Sequence, residues 1–144
     1  MRIAAPLHSG FAPALCFGYL MDMDDHHPHL PGRHLLIDLL EAQHLSDAAA
    51  LEAILRAAAK AAGVTVITTH FGVFSDQSGV TGMVLSAESH ISIHTWPDIG
   101  FAALDIFMCG ACNPQVALAH IETALAPARV AVTDIRRGAD HRNP

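Results

Sequence analysis

The stretch "SHISIHTWPDIGFAALDIFMC", Ser89–Cys109, holds two runs of alternating apolar and polar residues on either side of Pro97 and Gly100. Alternation with a period of two is the mark of a strand with one covered face, and proline and glycine frame a chain reversal. A hairpin closed by "PDIG" sets Trp96 opposite Phe101, His94 opposite Ala103, Ser92 opposite Asp105 and His90 opposite Phe107. One step further, the ladder sets Cys109 opposite Glu88. On this register Cys109, Glu88, Ser92 and His94 share a face and Ser89 points to the other, whereas a slip of one residue reverses the arrangement. Histidines and hydroxyls thus occupy positions where a plain solvated sheet carries Lys, Glu or Thr.

Outward from the hairpin the pattern stays regular. "GRHLLIDLLEA" alternates His34, Leu36 and Asp38 against Leu35, Ile37 and Leu39, a first strand. "SDAAALEAILRAAAKAAG" predicts an amphipathic helix with Ser46 as N-cap, Leu51, Ile54, Leu55 and Ala58 on its apolar face and Gly63 as its stop. The β-branched "VTVITTHFGVF" and the run "VTGMVLS", with "SDQSG" between them, read as two strands. After the hairpin, "NPQVALAHIETAL" predicts a second helix with Asn113 as N-cap and Pro114 in its first turn, and "ARVAVTDIRRG" a last strand. The order β-α-β-β-β-β-α-β, with mostly hairpin-linked strands and two one-faced helices, predicts a two-layer α/β sandwich (α+β) in which both helices cover one face of a mainly antiparallel sheet.

The chain of 144 residues fits one domain, in which folding buries roughly two thirds of the unfolded surface. Residues 1–31, with scattered Pro and Gly and the ending "MDMDDHHPHLP", read as a partly ordered extension ahead of a domain at 32–144. Asp24, Asp25, His26, His27 and His29 could hold a metal, but the tract imposes no coordination geometry, and no metal is expected. With 51% hydrophobic and 15% charged residues and a mean hydropathy of +0.33, the surface is short of charge, which favours a homo-oligomer.

A formal net charge of -6, with no Lys/Arg stripe, argues against nucleic acid as a partner. No run approaches the roughly 18 uninterrupted apolar residues of a membrane span, and Pro6, Gly10 and Pro13 interrupt any signal-peptide core. Three cysteines, Cys16, Cys109 and Cys112, are too few for a disulfide scaffold, and a cytoplasmic location is expected. The chain contains neither GxGxxG nor GxxxxGK[ST], which disfavours a phosphate loop.

The reactive groups of the hairpin admit several readings. A Ser/His/Cys set could be hydrolytic, but no GxSxG elbow surrounds Ser89. "CGAC", Cys109 to Cys112, could be redox-active or half a zinc site, and His70, His90 and His94 could ligate a metal without the support of an HExxH motif. A polar sheet face covered by a partner subunit is the plainest alternative.

The segment "GVTGMVLSAESHISIHTWPDIGFAALDIFMCG", Gly79–Gly110, closely resembles the core of the short bacterial and archaeal S-adenosylmethionine decarboxylases, self-processing pyruvoyl enzymes. "GRHLLID" and "ARVAVTDIRRG" resemble that family's first strand and C-terminus, so the resemblance spans roughly residues 31 to 138; the run "ESHxSIHTWP" followed by D-[IL]-F-x-C-G is its most specific part. It implies that the bond between Glu88 and Ser89 is cut by the protein itself, giving a β chain of residues 1–88 and an α chain of 89–144 that begins with a pyruvoyl group made from Ser89. That group would form a Schiff base with the substrate amine and serve as the covalent cofactor.

By position, His94 matches the proton acceptor of processing, Cys109 the proton donor of catalysis and Thr81 a processing serine. Asp98 stands where the family has a ribose-contacting Glu, and Phe71 or Phe74 matches an aromatic that stacks on adenine. The resemblance implies decarboxylation of S-adenosylmethionine to an aminopropyl donor for spermidine synthesis by a homodimer. Arginine or ornithine as substrate, or an unprocessed regulatory homologue, are the alternatives that the departures at Asp98 and in "FGVFSDQSGVTG" leave open.

Overall fold

The computed structural model describes residues 32–74, 79–87 and 89–138. In chain order these form β1 (Gly32–Leu40), α1 (Ala48–Ala61), β2 (Val66–Val73), β3 (Val80–Ser86), β4 (Ser89–Trp96), a 3-10 turn (Pro97–Ile99), β5 (Phe101–Met108), α2 (Pro114–Leu125) and β6 (Arg129–Arg137). The expected β-α-β-β-β-β-α-β order is present. The strands make one antiparallel sheet in the order β2-β3-β4-β5-β1-β6, so that β1 lies between the two C-terminal strands β5 and β6. The extension read at residues 1–31, with its acidic and histidine tract, lies outside the described residues.

Both helices pack on one face of the sheet. Leu51, Leu55, Ala58 and Ala59 of α1 and Pro114, Ala117, Leu118, Ile121 and Leu125 of α2 are buried against inward residues of β1, β3, β4 and β5. Burial of each large side chain of this set contributes about 1.5–3 kcal/mol relative to exposure. The caps follow the sequence with one correction. Asp47, not Ser46, caps α1: its carboxylate accepts a hydrogen bond from the Ala50 N–H at 3.0 Å, while Ser46 stays exposed. Asn113 caps α2 by accepting from Gln115 N–H, with Pro114 behind it, and Gly63, at φ +88°, follows the end of α1.

The 3-10 turn leads into Gly100 at φ +64°, and the ladder of β4 and β5 then runs without interruption from Trp96↔Phe101 to His90↔Phe107. Thr95 fixes this hairpin from below. It is fully buried, its Oγ1 accepts from the Val80 N–H at 2.8 Å, and its hydroxyl donates to the Leu45 carbonyl at 2.7 Å. One strand is thereby tied both to its neighbour β3 and to the loop ahead of α1.

Candidate active site

The parity of β4 decides what the site can be. Ser89, Ile91, Ile93 and Thr95 are buried toward the helices, and His90, Ser92, His94 and Trp96 stand on the uncovered face. On β5 the inward residues are Ala102, Leu104, Ile106 and Met108, leaving Phe101, Ala103, Asp105 and Phe107 outward. Cys109 continues this outward row just past β5, half-buried, and its sulfur is a thiol rather than half of a disulfide. Cys109, His94 and Ser92 therefore share a face, and Ser89 sits on the opposite one. Glu88 lies outside the described residues.

On the uncovered face, Thr81 of β3 is the cross-strand partner of His94, and its Oγ1 lies 3.2 Å from His94 Nδ1. With the proton on Nδ1 the ring donates to Thr81 and leaves Nε2 as a base; the hydrogen bond selects the tautomer. Trp96 continues the row, with Phe74 edge-on at a ring separation of 6.4 Å and Phe101 at 5.3 Å. Phe71 faces the other way. It packs against the core with its ring over Gly82, where a Cβ would come within 2.1 Å of it. Asp98 lies exposed in the 3-10 turn that follows Trp96.

A second cluster surrounds Phe107. His90 stacks on its ring at 5.7 Å, His34 of β1 meets it edge-on at 5.7 Å, and the Arg137 guanidinium lies 5.9 Å from its centre. Asp105 joins the group: Ser92 donates to its Oδ2 at 3.3 Å, and His34 Nε2 lies 3.3 Å from Oδ1 without the alignment of a hydrogen bond. Burial, then the neighbouring His34, pushes the His90 imidazole below its usual range, with Asp105 opposing. Gly32 makes room for this packing, since a Cβ there would lie 2.6 Å from the Phe107 ring. Motif reading singled out His90 for this face; His34, Asp105, Phe107 and Arg137 were legible only as strand residues.

The connection between β3 and β4 is residues 87 and 88, and Ser86 pairs with Ser89 across it. Ser86 is 3% and Ser89 6% exposed, both facing the helices, and the Ser86 hydroxyl has no hydrogen-bond partner. A serine placed at the head of a strand, beside an orphaned buried hydroxyl, is a fitting precursor for a group made from the chain itself. Fold and site together define a class: a two-layer α/β sandwich with a reactive set of His, Thr, Ser and Cys on the uncovered face of an antiparallel sheet.

A family model described as S-adenosylmethionine decarboxylase matches residues 33–138. The S-adenosylmethionine decarboxylase proenzyme of Methanococcus aeolicus is 46% identical over 110 residues, 74% of this chain and 93% of that relative. That of Thermodesulfovibrio yellowstonii is 40% identical over 116 residues, 78% of this chain and 85% of the other. A crystal structure of the adenosylmethionine decarboxylase from Aquifex aeolicus shares the fold at a TM-score of 0.71 and 34% identity, covering 81% of this chain and 98% of that one. The chain belongs to the S-adenosylmethionine decarboxylase family. Among its described residues, no helix is long and apolar enough to cross a membrane.

Proposed function

We propose that this chain cuts itself between Glu88 and Ser89 and then decarboxylates S-adenosylmethionine with a pyruvoyl group formed from Ser89. The observation that carries this reading is the placement of Ser89. In a chain of this family, it heads β4 directly after the β3–β4 connection, with Thr81–His94 and Cys109 on the adjoining sheet face.

In processing, the Ser89 hydroxyl attacks the Glu88 carbonyl, the peptide C–N bond breaks, and an ester with a new amine at residue 89 results. His94, with Nδ1 committed to Thr81, uses Nε2 to take the α-proton of residue 89; elimination then releases the Glu88 carboxylate. Cleavage at this point leaves both products in place. The N-terminal product holds β1, α1, β2 and β3 and the C-terminal one β4, β5, α2 and β6, yet β3 pairs with β4 and β1 with both β5 and β6. The sheet interleaves the two chains.

The pyruvoyl group supplies a ketone that condenses with the substrate amine and a neighbouring carbonyl that takes up the electron pair left by CO2. Cys109 holds the proton that replaces CO2 at Cα, since a thiol of ordinary pKa near 8.5 stays protonated at neutral pH. Residue 89, once a chain end, is released from the strand geometry that points it at the helices and turns to the face of Cys109. Asp98 and Phe74 lie around Trp96 on the side where the nucleoside would sit, and Phe71, over Gly82, supports the core instead.

A second copy covers the uncovered sheet face. Leu36, Met83, Leu85, Trp96 and Ile135 are exposed there together, an apolar surface suited to a homodimer. The product would serve as an aminopropyl donor for spermidine synthesis in the cytoplasm. Release of CO2 from carboxyl-labelled substrate tests the assignment: S-adenosylmethionine is turned over, and arginine and ornithine are not. Turnover of either amino acid in place of S-adenosylmethionine, or of none by fully cleaved protein, overturns it.

A further inference from the structure

We propose that Ser86 is a positioning residue for self-cleavage, holding the Ser89 hydroxyl for its attack; this rests on the self-processing reading above. The sheet separates the groups involved. Thr81, His94, Ser92 and Cys109 are on the uncovered face, whereas the Ser89 side chain is buried toward the helices. From its own face His94 can serve the α-proton, but the nucleophilic hydroxyl needs an orienting partner on the helix side.

Ser86 stands there. It is the direct cross-strand partner of Ser89, it shares the inward face, and it is 3% exposed. Opposed residues of an antiparallel pair have Cβ atoms about 4.5–5.5 Å apart, close enough for two serine hydroxyls to meet by rotation about χ1. Among the described residues, Ser86 Oγ is one of two buried side-chain polar atoms with no hydrogen-bond partner, and the other, His34 Nε2, lies beside a carboxylate. A buried hydroxyl with no partner is costly, and a chain that keeps one beside a reacting residue has a use for it. The backbone holds it steady: the next residue, Ala87, donates its N–H to the Thr65 carbonyl at 3.2 Å.

Ser86 accepts a hydrogen bond from the Ser89 hydroxyl and turns a lone pair of Ser89 Oγ toward the Glu88 carbonyl carbon. The Oγ–C bond forms, the C–N bond breaks, and the hydroxyl proton ends on the new amine. Ser86 itself neither gains nor loses a proton.

The test follows cleavage of freshly translated full-length precursor by denaturing mass spectrometry for wild type, S86A, S86T and S89A, with thermal unfolding of the same proteins. S86A cleaves about tenfold more slowly, the worth of one neutral hydrogen bond lost in a transition state, while its Tm stays level or rises because the deleted hydroxyl had no partner. S86T keeps the hydroxyl and recovers most of the rate. Once cleaved, S86A decarboxylates as wild type per pyruvoyl end. Wild-type cleavage matched by S86A, with S89A inert, overturns the role of Ser86 and leaves the self-processing reading standing. A wild-type precursor that never cleaves overturns both.

Discussion

Replacing Thr95 with valine removes one hydroxyl and almost no volume, so its effect isolates the polar clamp beneath the site. The hydroxyl accepts from Val80 N–H at 2.8 Å and donates to Leu45 O at 2.7 Å, and all three residues are buried. A neutral hydrogen bond contributes about 0.5–1.5 kcal/mol net, but a buried donor or acceptor left without its partner costs about 1–3 kcal/mol. Valine strands one of each, and no water reaches them through a covered sheet face, so the expected loss is about 2–4 kcal/mol. For a chain of this size that lowers Tm by roughly 10 °C. Urea unfolding with tryptophan fluorescence measures it, since the single tryptophan, Trp96, adjoins the substitution. Wild type and variant are compared at equal protomer concentration because association adds to apparent stability. T95S should recover most of the loss. A T95V variant within about 0.5 kcal/mol of wild type, the range of neutral surface changes, would refute the clamp.

Four further expectations follow from the site. T81V removes the hydrogen bond to His94 Nδ1 at a partly solvated position, so cleavage slows while stability changes by less than about 1 kcal/mol, and T81S restores the rate; a cleavage time course reads this out. C109A cleaves normally but loses about 10²–10⁴ in kcat, the range for removal of a general acid. Because His90 has a lowered pKa in the folded state, the unfolded chain binds more protons between the two pKa values. Stability therefore rises with pH through the window extending from that lowered value up to about 6.5 and is level above it. H90Q flattens that part of the curve, as pH-dependent unfolding would detect. After self-cleavage the two chains elute together in native gel filtration and separate in denaturant, because β1 of one product is paired on both edges with strands of the other.

The hairpin was legible because Pro97 and Gly100 fix where the chain turns and Ile91, Ile93, Leu104 and Ile106 fix which face is inward; together these leave one register. The inward direction of Ser89 followed from the same parity. The cap of α1 was misread by one residue because Ser46 and Asp47 are both good caps, and only the path of the chain decides which oxygen meets the Ala50 N–H. Phe71 and Phe74 could not be told apart because "VITTHFGV" carries no one-sided hydrophobic pattern. The register shift between Val66 and Thr68 also breaks the parity on which a reading from its N-terminal end depends. The cluster of His34, Asp105, Phe107 and Arg137 draws on β1, β5 and β6, which are far apart in sequence and meet only because β1 inserts between the other two. The unpartnered state of Ser86 is a property of packing, and the sequence carries no sign of it.

The central claim is that Ser89 becomes the cofactor, and the intact mass of the purified, denatured protein tests it most directly. The account predicts two chains split between Glu88 and Ser89, the C-terminal one lighter by the elements of ammonia than a chain beginning with serine and resistant to sequencing from its N-terminus. A single uncleaved species, or a C-terminal chain that begins with an ordinary serine, would contradict it.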